Sequence, residues 1–240
     1  CKNTTATCNT AVGTNALFSN TTGNLNTAVG IDALISNTTA YANNAFGRKA
    51  LYSNTTGVYN NAMGHETLCK NTTGNCNTAL GHASMFANTE GYDNTAVGFY
   101  SLCANTTGLQ NVALGKCALA NNTTASQNVA VGNGALLLTT TGACNTAVGN
   151  LALKANTASK NAAVGYFSLC TNTTGANNTA VGFESLKRNT TASNNTALGY
   201  LSLCANTTGS SNTAIGVCSL LDNSTGTNNV AVGFRALQDY

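Results

Sequence analysis

The apolar residues of this chain follow neither the rhythm of a helix nor a long alternation; they recur at a fixed period of 17 residues. Each period holds a short stretch such as Asn-Thr-Ala-Val, then Gly, two variable residues, a small residue and Leu, and closes on the polar run Asn-Thr-Thr-Gly. The glycine after the apolar stretch falls at Gly13, Gly30, Gly47, Gly64, Gly81, Gly98, Gly115, Gly132, Gly149, Gly165, Gly182, Gly199, Gly216 and Gly233. Twelve of the thirteen intervals are 17 residues, and Gly149 to Gly165 is 16. With that glycine as position 1, position 14 is always Asn, position 16 always Ala, position 5 Leu except Met85, and position 4 Ala, Ser or Thr67. Position 17 is Val, Leu, Ile, Met or Phe.

A period this short cannot hold a helical hairpin, which needs more than about thirty residues, and it suits one coil of a stacked sheet. The pattern predicts an all-β chain: a parallel β-solenoid (β-roll) of fourteen 17-residue coils, forming a single repeat domain over residues 1–240. Asn-Thr-Ala-Val reads as a first strand, ended by Gly, and positions 3 to 6 around Ala-Leu read as a second. Asn-Thr-Thr-Gly reads as a turn in which Gly supplies a positive φ. Bulky residues at positions 17 and 5, such as Val148 and Leu153, are expected to point inward from opposite walls. Alanine at position 16 and the small residue at position 4 mark places where a larger side chain would clash. Coils stacked about 4.8 Å apart would make a rod of roughly 65 Å. The asparagines at position 14 would form a ladder of side-chain amides along it. The short coil lacks one turn residue between Asn156 and Lys160, which predicts a local kink there and an unchanged core.

Charge changes the picture by exclusion. Only 7% of residues are charged, and ten basic against seven acidic residues leave a net +3 with no basic run. Nucleic acid binding has little electrostatic support in such a chain. No apolar run approaches the length of a membrane span. No paired carboxylates or metal-ligand spacing emerge, and the glycines lack the strand–loop–helix context of a phosphate cradle. The sequence therefore predicts no enzyme, no cofactor and no metal. His65 and His82 share position 2 of adjacent coils, with Glu66 beside them, and read as exposed side chains at a variable position. Phe99, Tyr166, Phe183, Tyr200 and Phe234 fall at the same position, giving an aromatic stripe that binds sugar or another chain, or packs along one edge.

The ten cysteines are placed by coil position. Cys1/Cys8 and Cys69/Cys76 are seven apart, and Cys103/Cys117 and Cys204/Cys218 are fourteen apart. The recurring spacings predict four disulfides in an oxidising compartment, with Cys144 and Cys170 left over. The alternative is buried free cysteine acting as a small apolar filler. The Asn-Thr-Thr turn also writes a glycosylation sequon at Asn3, Asn20, Asn37, Asn54, Asn71, Asn105, Asn122, Asn172, Asn189, Asn206 and Asn223. It predicts a stripe of glycans if the source glycosylates, and pure turn chemistry otherwise. Asn121, Asn177 and Asn194 meet the pattern incidentally.

The chain begins at Cys1, shows no signal peptide, and shows no amphipathic capping segment at either end. A mature product or a fragment of something longer is the expectation: either the chain is cut from a longer array, or its ends pair head to tail in a fibre.

The segments Asn178–Leu186 (NTAVGFESL) and Asn195–Leu203 (NTALGYLSL) resemble the head repeats of YadA-like trimeric adhesins. They resemble still more the NTAVG repeats of bacterial and phage tail-fibre-like surface proteins. The resemblance covers the whole chain. It implies a parallel β-roll, extracellular exposure on a cell or virion surface, and a fibre or adhesin role, often as a trimer. The expected function is thus a structural or adhesive extracellular module that assembles with itself end to end or as a homo-oligomer, with glycans or a host surface as further partners. The alternative is an ice-binding solenoid, for which Thr10, Thr27, Thr78, Thr95, Thr146, Thr179, Thr196 and Thr213 supply a threonine row at position 15. Asn44, Asn61, Val112, Val129, Ala162 and Val230 interrupt that row.

Overall fold

The computed structural model describes Lys2 and residues 4–239 and falls into two compact units, Cys1–Thr124 and Ala125–Tyr240. The first holds β1 (Thr10–Val12), β2 (Thr27–Val29), β3 (Asn44–Phe46), β4 (Asn61–Met63), β5 (Thr78–Leu80), β6 (Thr95–Val97) and β7 (Val112–Leu114). The second holds β8 (Val129–Val131), β9 (Thr146–Val148), β10 (Ala162–Val164), β11 (Thr179–Val181), β12 (Thr196–Leu198), β13 (Thr213–Ile215) and β14 (Val230–Val232). All fourteen strands are three residues long, and among the described residues there is no helix. Within each unit consecutive strands pair in parallel, identical positions opposite one another, as in Ala79↔Ala96 and Ala180↔Ala197. The chain is a parallel β-solenoid with one coil per 17 residues, as the period predicts.

The short coil leaves this register intact. Ala163 of β10 pairs with Ala147 of β9, sixteen residues away, and with Ala180 of β11, seventeen away. The missing residue is absorbed in the turn: Asn156 Nδ2 reaches the Ala158 carbonyl, two residues on, where the other coils span three. The strands and the buried Ala163 and Leu169 are unchanged.

Side-chain direction in the strand is the reverse of one expectation. Residues of a strand alternate between faces. The alanine at position 16 is the buried one in every coil from Ala28 to Ala231, so positions 15 and 17 both face outward. Met63 and Leu80 are nearly half exposed, and Val148 is only partly covered. The core is therefore built from alanine on one wall and leucine at position 5 on the other, with the small residue at position 4 between them. Leu102, Leu119, Leu153 and Leu186 are fully buried. Where position 4 is serine its hydroxyl is buried too, and bonds backbone: Ser84 Oγ donates to the Ala96 carbonyl at 3.0 Å.

The expected second strand is a pair of linked turns. Positions 3, 5 and 13 are left-handed in every coil, as at Tyr100 (φ 54°), Leu102 (φ 49°) and Gln110 (φ 56°). That conformation costs an L-residue roughly 1–2 kcal/mol, and it persists because neighbouring coils hold it. The Leu102 amide donates to the Ala118 carbonyl of the next coil, and the Ala118 amide folds back onto Gly115. The ladder thus continues through a wall with no strand in it. The glycine at position 1 is needed: Gly98 sits at φ +136°, and a Cβ there would lie 2.6 Å from the Gly115 carbonyl oxygen. The glycine of Asn-Thr-Thr-Gly does not have the expected positive φ. Ala40 and Ala192 replace it, buried, and the positive φ falls two residues later.

These placements set up a paired test. Leu119→Ala should lower stability by about 2–5 kcal/mol through lost burial and a cavity its stacked neighbours cannot fill. Leu80→Ala, on the outer face, should stay within about 0.5 kcal/mol, as surface changes do. Thermal and denaturant midpoints of the two variants distinguish the inward wall from the outward one; equal losses would mean the wall assignment is wrong.

Candidate interaction surface

Four sets of side chains could carry function: the sequon asparagines, the cysteines, the column at position 2 and the outer sheet face. The asparagines come first because their geometry decides what the turns can bear. Asn71, Asn105, Asn172 and Asn206, among others of the Asn-Thr-Thr turns, are fully buried. Asn88 Nδ2 donates to Asn71 Oδ1 at 2.7 Å, and Asn105 Nδ2 to Asn88 Oδ1 at 2.8 Å. The second hydrogen of each amide goes to a carbonyl of its own turn, as Asn88 to Gly91 at 3.0 Å. This is the amide ladder the repeat predicts, but at position 8 rather than chiefly at position 14.

The asparagines at position 14 do different work. Asn77 Oδ1 accepts from the Asn94 backbone amide at 3.1 Å, and Asn77 Nδ2 donates to the Gly91 carbonyl of the next coil at 2.8 Å. The Gly91 oxygen therefore receives two amides, from Asn88 and from Asn77. The two asparagine rows meet at each turn carbonyl and close the turn without water.

This arrangement bears on the expected glycan stripe. Both hydrogens on Nδ2 are spent inside the ladder at Asn37, Asn54, Asn71, Asn105, Asn172, Asn189, Asn206 and Asn223, and Asn20 and Asn122 are buried in the same row, so the folded coil leaves these nitrogens no room for a glycan. Asn3 lies outside the described residues. The incidental Asn121, Asn177 and Asn194 are the exposed ones.

Of the expected disulfides, Cys69–Cys76, Cys103–Cys117 and Cys204–Cys218 are unbridged in the structure, and the Cys1–Cys8 pair lies partly outside the described residues. Cys8, Cys69, Cys76, Cys103, Cys117, Cys144, Cys170, Cys204 and Cys218 are free thiols, and Cys1 lies outside the described residues. Cys69 is buried while Cys76 is exposed on a left-handed residue, so the turn between them is shut by asparagine amides and not by a bridge. Cys103 and Cys117 are closer to the expectation: both are half-buried in adjacent coils, and the Cys117 thiol adds to the forces raising the Cys103 pKa. Burial is the main cause of that rise, and it also pushes up Cys69, Cys170 and Cys204. These four have the character of apolar filler.

At position 2, Arg48 Nη1 donates to His65 Nε2 at 2.8 Å, and the His65 and His82 rings lie with centroids 5.1 Å apart, tilted by 42°. Among the described residues no three His, Cys, Asp or Glu groups converge on one point. Farther along, Tyr166, Phe183 and Tyr200 stack face to face, 5.3 and 5.5 Å apart and tilted by only 9° and 16°. The inner ring, Phe183, thus turns both faces to its neighbours. Stacked in this way, Tyr166, Phe183 and Tyr200 pack on one another along one edge of the coils.

The outer sheet face makes little internal use of its side chains, the Asn44 amide donating to Asn61 Oδ1 at 2.8 Å being one instance. Position 15 carries Thr, Asn, Val or Ala and position 17 Val, Leu, Ile, Met or Phe, and neither carries a charged residue in any of the fourteen coils. Val12, Phe46, Met63, Leu80, Val181 and Ile215 are all exposed there. The sequence carried this signal in the unvarying alanine between the two positions, which leaves space for nothing larger and so marks the inward side.

Two measurements check this surface. Asn88→Ala removes both amide hydrogens and the acceptor for Asn105; at roughly 1–3 kcal/mol for each buried group left unpaired, it should lower the melting point more than Thr107→Ala on the exposed rim of the next turn. Equal melting points would mean the ladder carries no stability. Alkylation of the native, reduced protein near pH 8 should label Cys8, Cys76 and Cys144 quickly and Cys69 and Cys170 slowly, because burial both shields those two and keeps them as thiols.

Compared with known proteins, the chain matches no family model, no curated protein and no solved structure.

Proposed function

We propose that the chain is a structural or adhesive module of an extracellular fibre, built to present a surface at a distance and to stack with itself. The observation that supports this reading best is the in-register self-pairing within each unit. Every coil hydrogen-bonds a near-copy of itself through backbone, asparagine and threonine, as Thr72 Oγ1 does to the Thr89 carbonyl. A surface that fits its own copy is suited to repetition, and the same ladder serves end-to-end association of chains. Chemistry-bearing side chains are scattered along the coils rather than gathered, which suits a mechanical role. Cell or virion surface is the location proposed. In an oxidising compartment Cys103–Cys117 and Cys204–Cys218 would join adjacent coils and lock their stacking.

One observation favours a second reading. Because position 15 faces outward, Thr179, Thr196 and Thr213 form a regular partly exposed row on a flat sheet, as an ice-binding face would need. The bulkier Phe46 and Met63 on the same face of the other unit work against a flat lattice match.

Electron microscopy of the purified protein should show filaments that lengthen with concentration. Dispersed short rods at every concentration would overturn the fibre reading, and thermal hysteresis in that sample would establish the ice-binding one.

A further inference from the structure

We propose that the outer sheet face, positions 15 and 17 of successive coils, is a lateral pairing surface for a second copy of this chain. The proposal rests on the sheet face and not on end-to-end growth, so it extends the fibre reading to a second direction of assembly.

Three observations converge on it. First, the position-17 row of the face is apolar and exposed, at Phe46, Met63, Leu80 and Leu114 in one unit and Val164, Val181 and Ile215 in the other, beside a position-15 row of mostly Thr. Monomeric soluble proteins rarely leave a contiguous apolar patch beyond a few hundred Å² uncovered, and larger ones mark interaction sites. Within one unit, seven strands about 4.8 Å apart, presenting a band about 10 Å wide, offer roughly 300 Å² per copy, the size at which an exposed patch on a monomer is often functional.

Second, the charge pattern selects a neutral partner. All seventeen Lys, Arg, Asp and Glu residues lie at other positions, such as Asp32, Glu66 and Glu184 at position 3 or Lys70 and Arg188 at position 7. A nucleic acid or an anionic lipid surface would find no cation here. Another copy of the same face meets it with no buried charge on either side.

Third, the repeat selects the partner's spacing. Rows of side chains at the strand spacing mesh over many coils only with rows of the same spacing, as in two packed sheets. A second copy has that spacing by construction, and one two-fold axis satisfies both chains at once. Ice is the competing occupant, since its surface is also periodic and neutral. The uneven relief of Phe46, Met63 and Leu80 beside Val29 and Val97 fits interdigitation better than a flat crystal plane.

The test uses the full chain, reduced, with Leu80→Lys and Val181→Lys introduced together. Both sites face solvent, so circular dichroism should match wild type, and melting should match at concentrations low enough that both are monomeric. Thr107→Lys, on an exposed turn, controls for added charge. Sedimentation velocity over a hundredfold concentration range should show wild type and the control associating, and the double variant weakened at least about tenfold. In microscopy the double variant should keep filaments but lose side-by-side pairs; loss of filaments with lateral pairs retained would instead sink end-to-end growth while leaving this face intact. A wild type that sediments only as monomer or as one-rod-wide filaments, or a double variant that pairs as well as wild type, would overturn the proposal. So would thermal hysteresis in wild type that the double variant loses, since the face would then meet ice. If the double variant misfolds, Leu80→Thr with Val181→Thr, which keeps strand propensity and removes apolar area, should still weaken pairing; unchanged pairing would refute it.

Discussion

The constraint on which the structure depends is that each coil lies on a near-copy of itself. A residue at one position must tolerate, and where polar must satisfy, the same residue one period away. Few side chains can bond their own kind in a line. Asparagine can, because its amide carries both donors and acceptors. This explains its use at positions 8 and 14, where Asn88 and Asn77 close one turn from two sides. Serine manages it at position 4, where the Ser84 and Ser101 hydroxyls lie 2.9 Å apart. A lysine or glutamate could not occupy these rows, since like charges would stack along the axis. The scarcity of charge is thus a consequence of stacking and not a separate property.

Stacking also accounts for the thin core. A roll of one alanine wall and one leucine wall buries little apolar surface per coil, less than a globular domain of similar length would. Backbone pairing supplies what the core does not. The amides of Leu102 and Ala104 both bond the next coil although neither belongs to a strand, so the leucine wall is tied as firmly as the strand wall. The left-handed leucines are affordable for the same reason, because a residue held from above and below cannot relax into its preferred basin.

Much of this was legible in the sequence, and the failures share a cause. The 17-residue period, the buried leucine and the tolerance of the short coil follow from counting. Apolar character at position 17 points to burial and misleads, while the unvarying Ala96 and its equivalents are the residues that fix which side is inward. Left-handed turns at Leu102 and Tyr100 were invisible because neither residue prefers that basin, and tertiary stacking imposes it. The Asn-Thr-Thr run is the subtlest case. The same three residues spell a surface sequon and a buried ladder, and only the burial of Asn105 and its neighbours separates the two. The cysteine spacings reflect coil positions that recur together, which places thiols in fixed rows without requiring bonds between them.

The short coil shows how such a chain changes length. Loss of one residue between Asn156 and Lys160 is confined to a turn, while the strands on either side keep their partners. Loss or gain of a whole period within a unit would disturb even less, because the new neighbours present the same backbone and the same asparagines as the old. Recombination between periods, which similar repeats in a gene invite, therefore yields a foldable product at almost any crossover that conserves coil position. Reach then becomes a quantity that selection can tune in whole steps without first redesigning an interface.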